Sequence, residues 1–263
     1  MNNEKSKVII DNIRKYLLDN NINFENHDLI KNIKDRINGC KFTFEDNVKG
    51  MIYAQLSNQT KWINIAPKLA QIDELFFHYD KAKIRCKPAS YFYDGIFNLK
   101  CGNIATKKQM ISLNDNILML EKIELDFGEL DNFYLALPAN EIVKLLSNTN
   151  SKYKLKYIGY ALAWEFLRNV GVDGAKPDLH MRRIFGERRL GYSIYPIATE
   201  DEVIKVVDQI SLDTGYLKSY IDILLWSYCA DGYGEVCKAN PKCHKCVIKE
   251  YCRHLNNRKI KVT

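Results

Sequence analysis

Apolar residues return at helical spacing through most of this chain, in Val8, Ile9, Ile13, Tyr16 and Leu17, in Val48, Met51, Ile52 and Leu56, and in Val203, Val206, Val207 and Ile210. Such recurrence lays an apolar stripe along one side of a 3.6-residue helix, and the strict alternation of a half-buried strand is rare. The sequence therefore predicts an all-α fold. Its punctuation agrees: "NGCKFTFED" near residue 40, "KCGNIATKKQ" near 104, "ALPANE" near 138 and "NVGVDGAKPDLH" at 169–180 carry Gly, Pro, Asn and Asp where helices end and loops run. The stretch 112–137, with "LDFGELDNFYLAL", has the least regular pattern and is expected to include a strand or an irregular excursion. With 263 residues and an apolar fraction of 46%, the chain can bury the core of one large domain or two smaller ones without disulfides.

The start, "MNNEKSKVIIDNIRKYLLDNNINF", is polar and then amphipathic. Nothing later approaches the roughly 20 apolar residues of a membrane span. A cytoplasmic protein with no membrane partner is expected. In a reducing compartment, clustered cysteines hold metal more often than they pair. Cys40, Cys86, Cys101 and Cys229 are scattered and read as small buried hydrophobes. The other four, Cys237, Cys243, Cys246 and Cys252, crowd into "CKANPKCHKCVIKEYC", a loop short enough to bring all four sulfurs round one ion or cluster. Structural zinc usually takes two close pairs set apart by a longer segment. Here only Cys243 and Cys246 form a close pair, and an outer cysteine stands beyond a five-residue gap on each side. That spacing suits a [4Fe–4S] cluster better, with zinc as the alternative. His244 reads as an exposed loop histidine. From Cys237 onward Lys238, Lys242, Lys245, Lys249, Arg253, Arg258, Lys259 and Lys261 face one acid, Glu250, an excess that equals the whole chain's +7. A localised basic surface is the footprint of a polyanion, usually nucleic acid.

This tail resembles the iron–sulfur loop of the endonuclease III type of DNA glycosylases, in the helix-hairpin-helix superfamily, whose pattern is Cys-x6-Cys-x2-Cys-x5-Cys. The chain has five residues in the first gap and keeps a proline and a basic residue before the second cysteine. The resemblance implies an upstream hairpin followed by an aspartate, and "LKYIGYALAWEFLRNVGVDGAKPDLHMRRIF", 155–185, supplies both. Leu155, Ile158, Gly159 and Ala163 match the family's Leu-Pro-Gly-Val-Gly-x-Lys-x-Ala, and Asp178 stands at the aspartate. A glycine turn opening a helix presents backbone N–H groups to a DNA phosphate. Two positions depart. Tyr157 replaces the first hairpin glycine, and Ala161 stands where bifunctional members carry the Schiff-base lysine. Alanine has no amine to attack the sugar, so efficient β-lyase activity is not expected; Lys156, across the turn, is a poor substitute. Asp178 would stabilise the sugar cation or activate water as the N-glycosidic bond breaks. The plainer reading of Pro-Asp before a helix is an N-cap. His180, Arg182 and Arg183 follow as phosphate contacts or as helix-end charges.

The resemblance also implies elements that fill the gap left by a flipped base. "AQLSNQTKW" matches the family's Ser-x-Gln with Ser57 and Gln59, and "CGNIATKKQ" matches its wedge loop, with Gly102, Thr106 and Lys107 aligned and Asn103 or Ile104 at the tip. DNA contacts are thus expected from Gln59, Asn103, Ile104, Thr106, Lys107, Ile158, Gly159 and His180. Tyr53, Trp62, Tyr157, Tyr160 and Trp164 are candidates to line a base pocket by stacking, an arrangement suited to a cationic alkylated purine.

The fold implied is a two-lobed helix-hairpin-helix DNA glycosylase: 1–41 with 172–263 as the cluster-bearing lobe, and 42–171 as a six-helix lobe with the hairpin at about 150–171. The activity implied is that of a monofunctional, monomeric DNA glycosylase excising a damaged or modified base from double-stranded DNA. A catalytically inactive DNA-binding protein on the same scaffold, and a zinc-bound structural module, are the alternatives.

Overall fold

The computed structural model describes residues 3–25 and 28–254. Arg258, Lys259 and Lys261 of the basic tail lie outside them. The described residues form helices and no strand. In chain order the helices are α1 (Asn3–Asp19), α2 (Asp28–Ile37), α3 (Phe44–Leu56), α4 (Trp62–Ile65), α5 (Leu69–Leu75), α6 (Lys81–Arg85), α7 (Ala89–Asn98) and α8 (Thr106–Ile111). They continue as α9 (Leu113–Phe127), α10 (Leu130–Leu135), α11 (Ala139–Ser147), α12 (Tyr160–Asn169), α13 (Leu179–Phe185), α14 (Glu200–Thr214) and α15 (Lys218–Cys229). No helix among the described residues is long and apolar enough to cross a membrane.

The chain divides into two compact units, one of Met1–Lys31 with Asp173–Thr263 and one of Asn32–Val172. The first is built on α1, α13, α14 and α15. Ile9, Ile13 and Leu17 of α1 are buried with Val203, Val207 and Ile210 of α14, in the spacing that the sequence carries. Leu224, Leu225 and Tyr228 of α15 join them, and so do Val236, Cys237 and Ile248 of the cysteine loop. The loop is therefore rooted in a core. α14 starts with a capping box, Thr199 and Glu202 each bonding the other's backbone, and ends at Gly215 with a left-handed φ of 74°.

In the second unit α3 and α12 cross closely. A Cβ on Gly50 would meet Val170 Cγ1 at 3.0 Å and Asn169 Cβ at 3.1 Å, and Asn169 Nδ2 donates to the Gly50 carbonyl at 2.8 Å. Only glycine allows that approach without displacing a neighbour. α3 opens on its own capping box, Thr43 with Asp46. A buried ion pair fixes the segment before it: Arg36 reaches Asp131 at 2.7 Å, with side chains 12% and 9% exposed, and donates through Nε to the Val170 carbonyl.

The expectation of a strand or an irregular excursion within 112–137 is corrected. α9 and α10 fill the stretch, with Leu113, Ile117, Leu120 and Ile123 buried at helical intervals and Gly128, at φ 80°, between the helices. The run "LDFGELDNFYLAL" looks irregular because it spans that break. Of the four scattered cysteines, Cys101 and Cys229 are buried as expected, whereas Cys40, in the loop between α2 and α3, and Cys86, at the C-cap of α6, are exposed.

Candidate functional site

The hairpin of the second unit is α11, a turn and α12. The Leu155 N–H donates to the Leu146 carbonyl at 3.0 Å, and buried Ile158 donates to Leu155 at 3.3 Å, so the turn is closed from within. Tyr157 takes a φ of 57°, the left-handed region that a glycine would occupy at no cost. The departure in sequence thus leaves the backbone route of a glycine turn. Gly159 caps α12 with extended backbone and no side-chain bond, and a Cβ there would enter open space. An uncapped helix start of this kind leaves its first N–H groups for an external acceptor. Ala161 lies in the first turn of α12. Lys156 is held away as an ion pair with Asp115 at 2.7 Å. The residue that sequence reasoning passed over is Lys154, whose amine donates to the Ile158 carbonyl and whose pKa burial pushes down.

The segments expected to fill a gap left by a flipped base lie in the same unit. Gln59 is exposed just beyond α3, at a left-handed φ of 54°, and the Ser57 hydroxyl turns back to the Ala54 carbonyl. In the 102–107 loop the structure chooses between the two tip residues. Asn103 is tied down: its N–H donates to Thr106 Oγ1 at 2.8 Å, its Oδ1 accepts from Ala105 at 2.8 Å, and its Nδ2 reaches the Gln55 carbonyl at 3.4 Å. Ile104 is 89% exposed and forms the tip. Thr106 is buried and spends its hydroxyl oxygen on Asn103, so of the two residues expected to contact phosphate it is Lys107, exposed with its amine 5.5 Å from the Tyr93 ring centre, that faces solvent. Gly102 lies against the Phe97 ring, where a Cβ would stand 2.4 Å from it and force the ring to shift.

The proposed pocket aromatics differ in their surroundings. Tyr53 donates its hydroxyl to Asp73 at 2.6 Å and meets half-buried Trp62 edge-on at 6.3 Å. Trp164 is buried, and its indole N–H finds no acceptor among the described residues. Tyr160 is half-buried, and Tyr157 is 49% exposed.

Asp178, in the first unit, is the N-cap of α13. Its Oδ1 accepts from the His180 and Met181 amides at 2.8 and 3.1 Å, the bonds a plain capping role requires. Its Oδ2 accepts no hydrogen bond among the described residues, and the side chain is half-buried. His180 stands edge-on to Trp226 at 6.4 Å, and Trp226 meets Tyr233 at 4.8 Å. Burial holds the imidazole below its ordinary pKa, against the pull of Asp178, and buried Nδ1 has no partner among the described residues. Arg182 donates through Nε to the Ala198 carbonyl at 2.7 Å, which ties it to the chain beyond α13. Trp226 and Tyr233 were not among the pocket candidates. They belong to the aromatic run "WSYCADGYG" just before the cysteine loop.

The loop itself is held by bonds from both ends. Lys242 N–H donates to Val236, Arg253 N–H to Arg189, and Val247 N–H to the Tyr228 hydroxyl at 3.1 Å. Cys237 is buried, and Cys243, Cys246 and Cys252 are partly exposed. Burial raises the Cys246 and Cys252 thiols; Cys246 also feels Cys237 and Cys243, and Cys252 feels Cys237 and Cys246, so the four sulfurs lie within electrostatic reach of one another. The Cys237 thiol is lowered, first by a hydrogen bond from Cys229. Cys229 thus touches the loop that sequence spacing assigned to the other four. Among the described residues no three of the His, Cys, Asp and Glu side chains stand close enough to ligate a single metal ion. Part of the basic tail is neutralised locally: Lys238 pairs with Asp231, and Lys242 pairs with Glu235 at 2.8 Å and brings that carboxyl down to about 2. Exposed Lys245 and Lys249 make no ion pair among the described residues.

No family model and no curated protein matches this chain. Among solved structures, it is similar to the 8-oxoguanine glycosylase/lyase of Methanocaldococcus jannaschii, crystallised with a 15mer DNA containing 8-oxoguanine, at a TM-score of 0.51 and 20% identity over 83% of this chain and 95% of that one. The fold is that of a helical DNA glycosylase. At this identity the likeness concerns the path of the chain, and the chemistry must be argued from its own residues.

Proposed function

We propose that the chain is a monofunctional, monomeric DNA glycosylase that excises a damaged or modified base from duplex DNA. The observation that carries the reading is a half-buried carboxylate, Asp178, with one oxygen fixed by two backbone amides and the other without a hydrogen bond among the described residues, in a chain whose hairpin has alanine at position 161. Fixing Oδ1 holds the carboxylate in one orientation, so Oδ2 can face the positive charge that grows on a deoxyribose as its base departs. Ala161 offers no amine for a covalent sugar adduct, so water completes the reaction and the strand stays intact. The gap left by the flipped base would be filled by Ile104, with Gln59 toward the opposite strand and Lys107, Lys245 and the amides after Gly159 on phosphates.

Cys237, Cys243, Cys246 and Cys252 would hold a [4Fe–4S] cluster. Four thiols on one core-rooted loop are the donor chemistry that such a group takes, although no three of them stand close enough here to hold one ion; the group would draw them together, brace the loop and keep Lys245 and Lys249 displayed. A second reading, a DNA-binding protein without catalysis, is favoured by the capping bonds of Asp178, which explain that residue without chemistry. The two separate in an assay of base release from a panel of damaged, mismatched and modified duplexes, followed by alkali. Release with cleavage only after alkali supports the enzyme, whereas DNA binding with no release from any duplex supports the binder.

A further inference from the structure

Phe77, His78 and Tyr79 carry left-handed backbone in succession, with φ of 53°, 51° and 67°. That region is costly for any residue with a Cβ, and it persists only where the surroundings enforce it, often at binding sites. Tyr79 is the anchor: it donates its hydroxyl to Asp73 and stacks on buried Phe76 at 6.1 Å. The result of the strained turn is the position of Phe77. Its ring lies almost parallel to Tyr91, 5.7 Å away at 13°, and Tyr91 is 39% exposed. Beneath, Phe76 and Phe92 stack at 5.0 Å within the core, and Tyr91 meets Phe92 edge-on. The aromatic stack therefore has an inner tier that packs and an outer tier at the surface.

The amine of Lys87 lies over both outer rings, 5.2 Å from the centre of Tyr91 and 5.9 Å from that of Phe77. Its neighbours in sequence are neutralised: Lys83 pairs with Asp80, and Lys81 and Arg85 pair with Glu121. Lys87 makes no ion pair among the described residues. A flat aromatic surface beside an uncompensated cation is what holds an unpaired base by its face and the adjoining phosphate by its charge.

We infer that Phe77, Tyr91 and Lys87 form a docking platform for an unpaired base of single-stranded DNA, distinct from the hairpin and the 102–107 loop. The inference rests on the DNA-binding part of the proposed function and adds a strand that the duplex contacts do not hold. It is tested with the full chain by fluorescence anisotropy, using a labelled oligothymidylate of about 20 nucleotides and an undamaged duplex of the same length. Tyr91→Ala should weaken oligothymidylate binding by about 10-fold or more, and Tyr91→Phe should restore it. Lys87→Gln should weaken it and lower the salt slope by about one unit. Duplex affinity should be unchanged in all three. The platform is overturned if wild type binds the duplex but not the oligothymidylate, or if Tyr91→Ala binds the oligothymidylate as wild type does. Should Tyr91→Ala fail to fold, Lys87→Gln decides, and an unchanged affinity and slope overturn the inference. Wild type that binds neither probe removes the DNA-binding reading itself.

Discussion

Replacing Tyr157 by glycine and by alanine isolates the cost of the hairpin backbone. The φ of 57° costs a residue with a Cβ about 1–2 kcal/mol and costs glycine nothing. Both variants lose the same half-exposed ring, so their difference reports the backbone alone. In ordinary helical backbone the alanine variant would be the more stable by about 0.5–1 kcal/mol, because glycine gains more freedom on unfolding. At position 157 the relieved strain exceeds that term, which leaves the glycine variant ahead by about 0.5–1 kcal/mol. For a chain of this size that is about 1–4 °C in Tm, measurable by circular dichroism and in urea as a shift of midpoint at constant slope. An alanine variant as stable as the glycine variant would refute the left-handed turn and, with it, the argument that Tyr157 keeps a glycine's backbone path.

Arg36→Ala should cost about 3–5 kcal/mol in urea melts, because it leaves Asp131 buried and unpaired, and Arg36→Met with Asp131→Leu should recover much of the loss. Burial lowers the pKa of His180, so below about pH 6.5 the unfolded chain binds a proton that the folded chain refuses. Stability should therefore be fully present above that pH and fall as pH drops toward the folded pKa, and His180→Gln should flatten the slope in pH-dependent melts. Protein purified without oxygen under iron-replete conditions should contain about four irons per chain by elemental analysis, and Cys243→Ser should lose them and loosen the tail. Stoichiometric zinc without iron would reverse that assignment.

Residues whose role is local could be read from the sequence. Asp178 follows a proline and opens a helix, so its place at the head of α13 needed no tertiary information. The cysteine loop was visible for the same reason. The helical periodicity of α1 and α14 gave their buried faces. What depended on packing could not be read. Asn103 and Ile104 are adjacent, and only the bonds of Asn103 to Thr106, Ala105 and Gln55 decide which of them is the tip. The edge-on contact of Trp226 with His180 brings together residues 46 positions apart in sequence, and no local pattern predicts which face of α15 meets α13. Gly128 hid the helical phase of 112–137 by breaking it in the middle.

Base release by Asp178→Asn tests the central claim most directly. Asparagine caps a helix nearly as well as aspartate, so the variant should keep its fold and its DNA affinity while losing the charge. On any duplex from which wild type releases a base, excision by the variant should be slower by at least about 100-fold, on the scale of removing one electrostatic stabiliser. Excision by Asp178→Asn at the wild-type rate would contradict it.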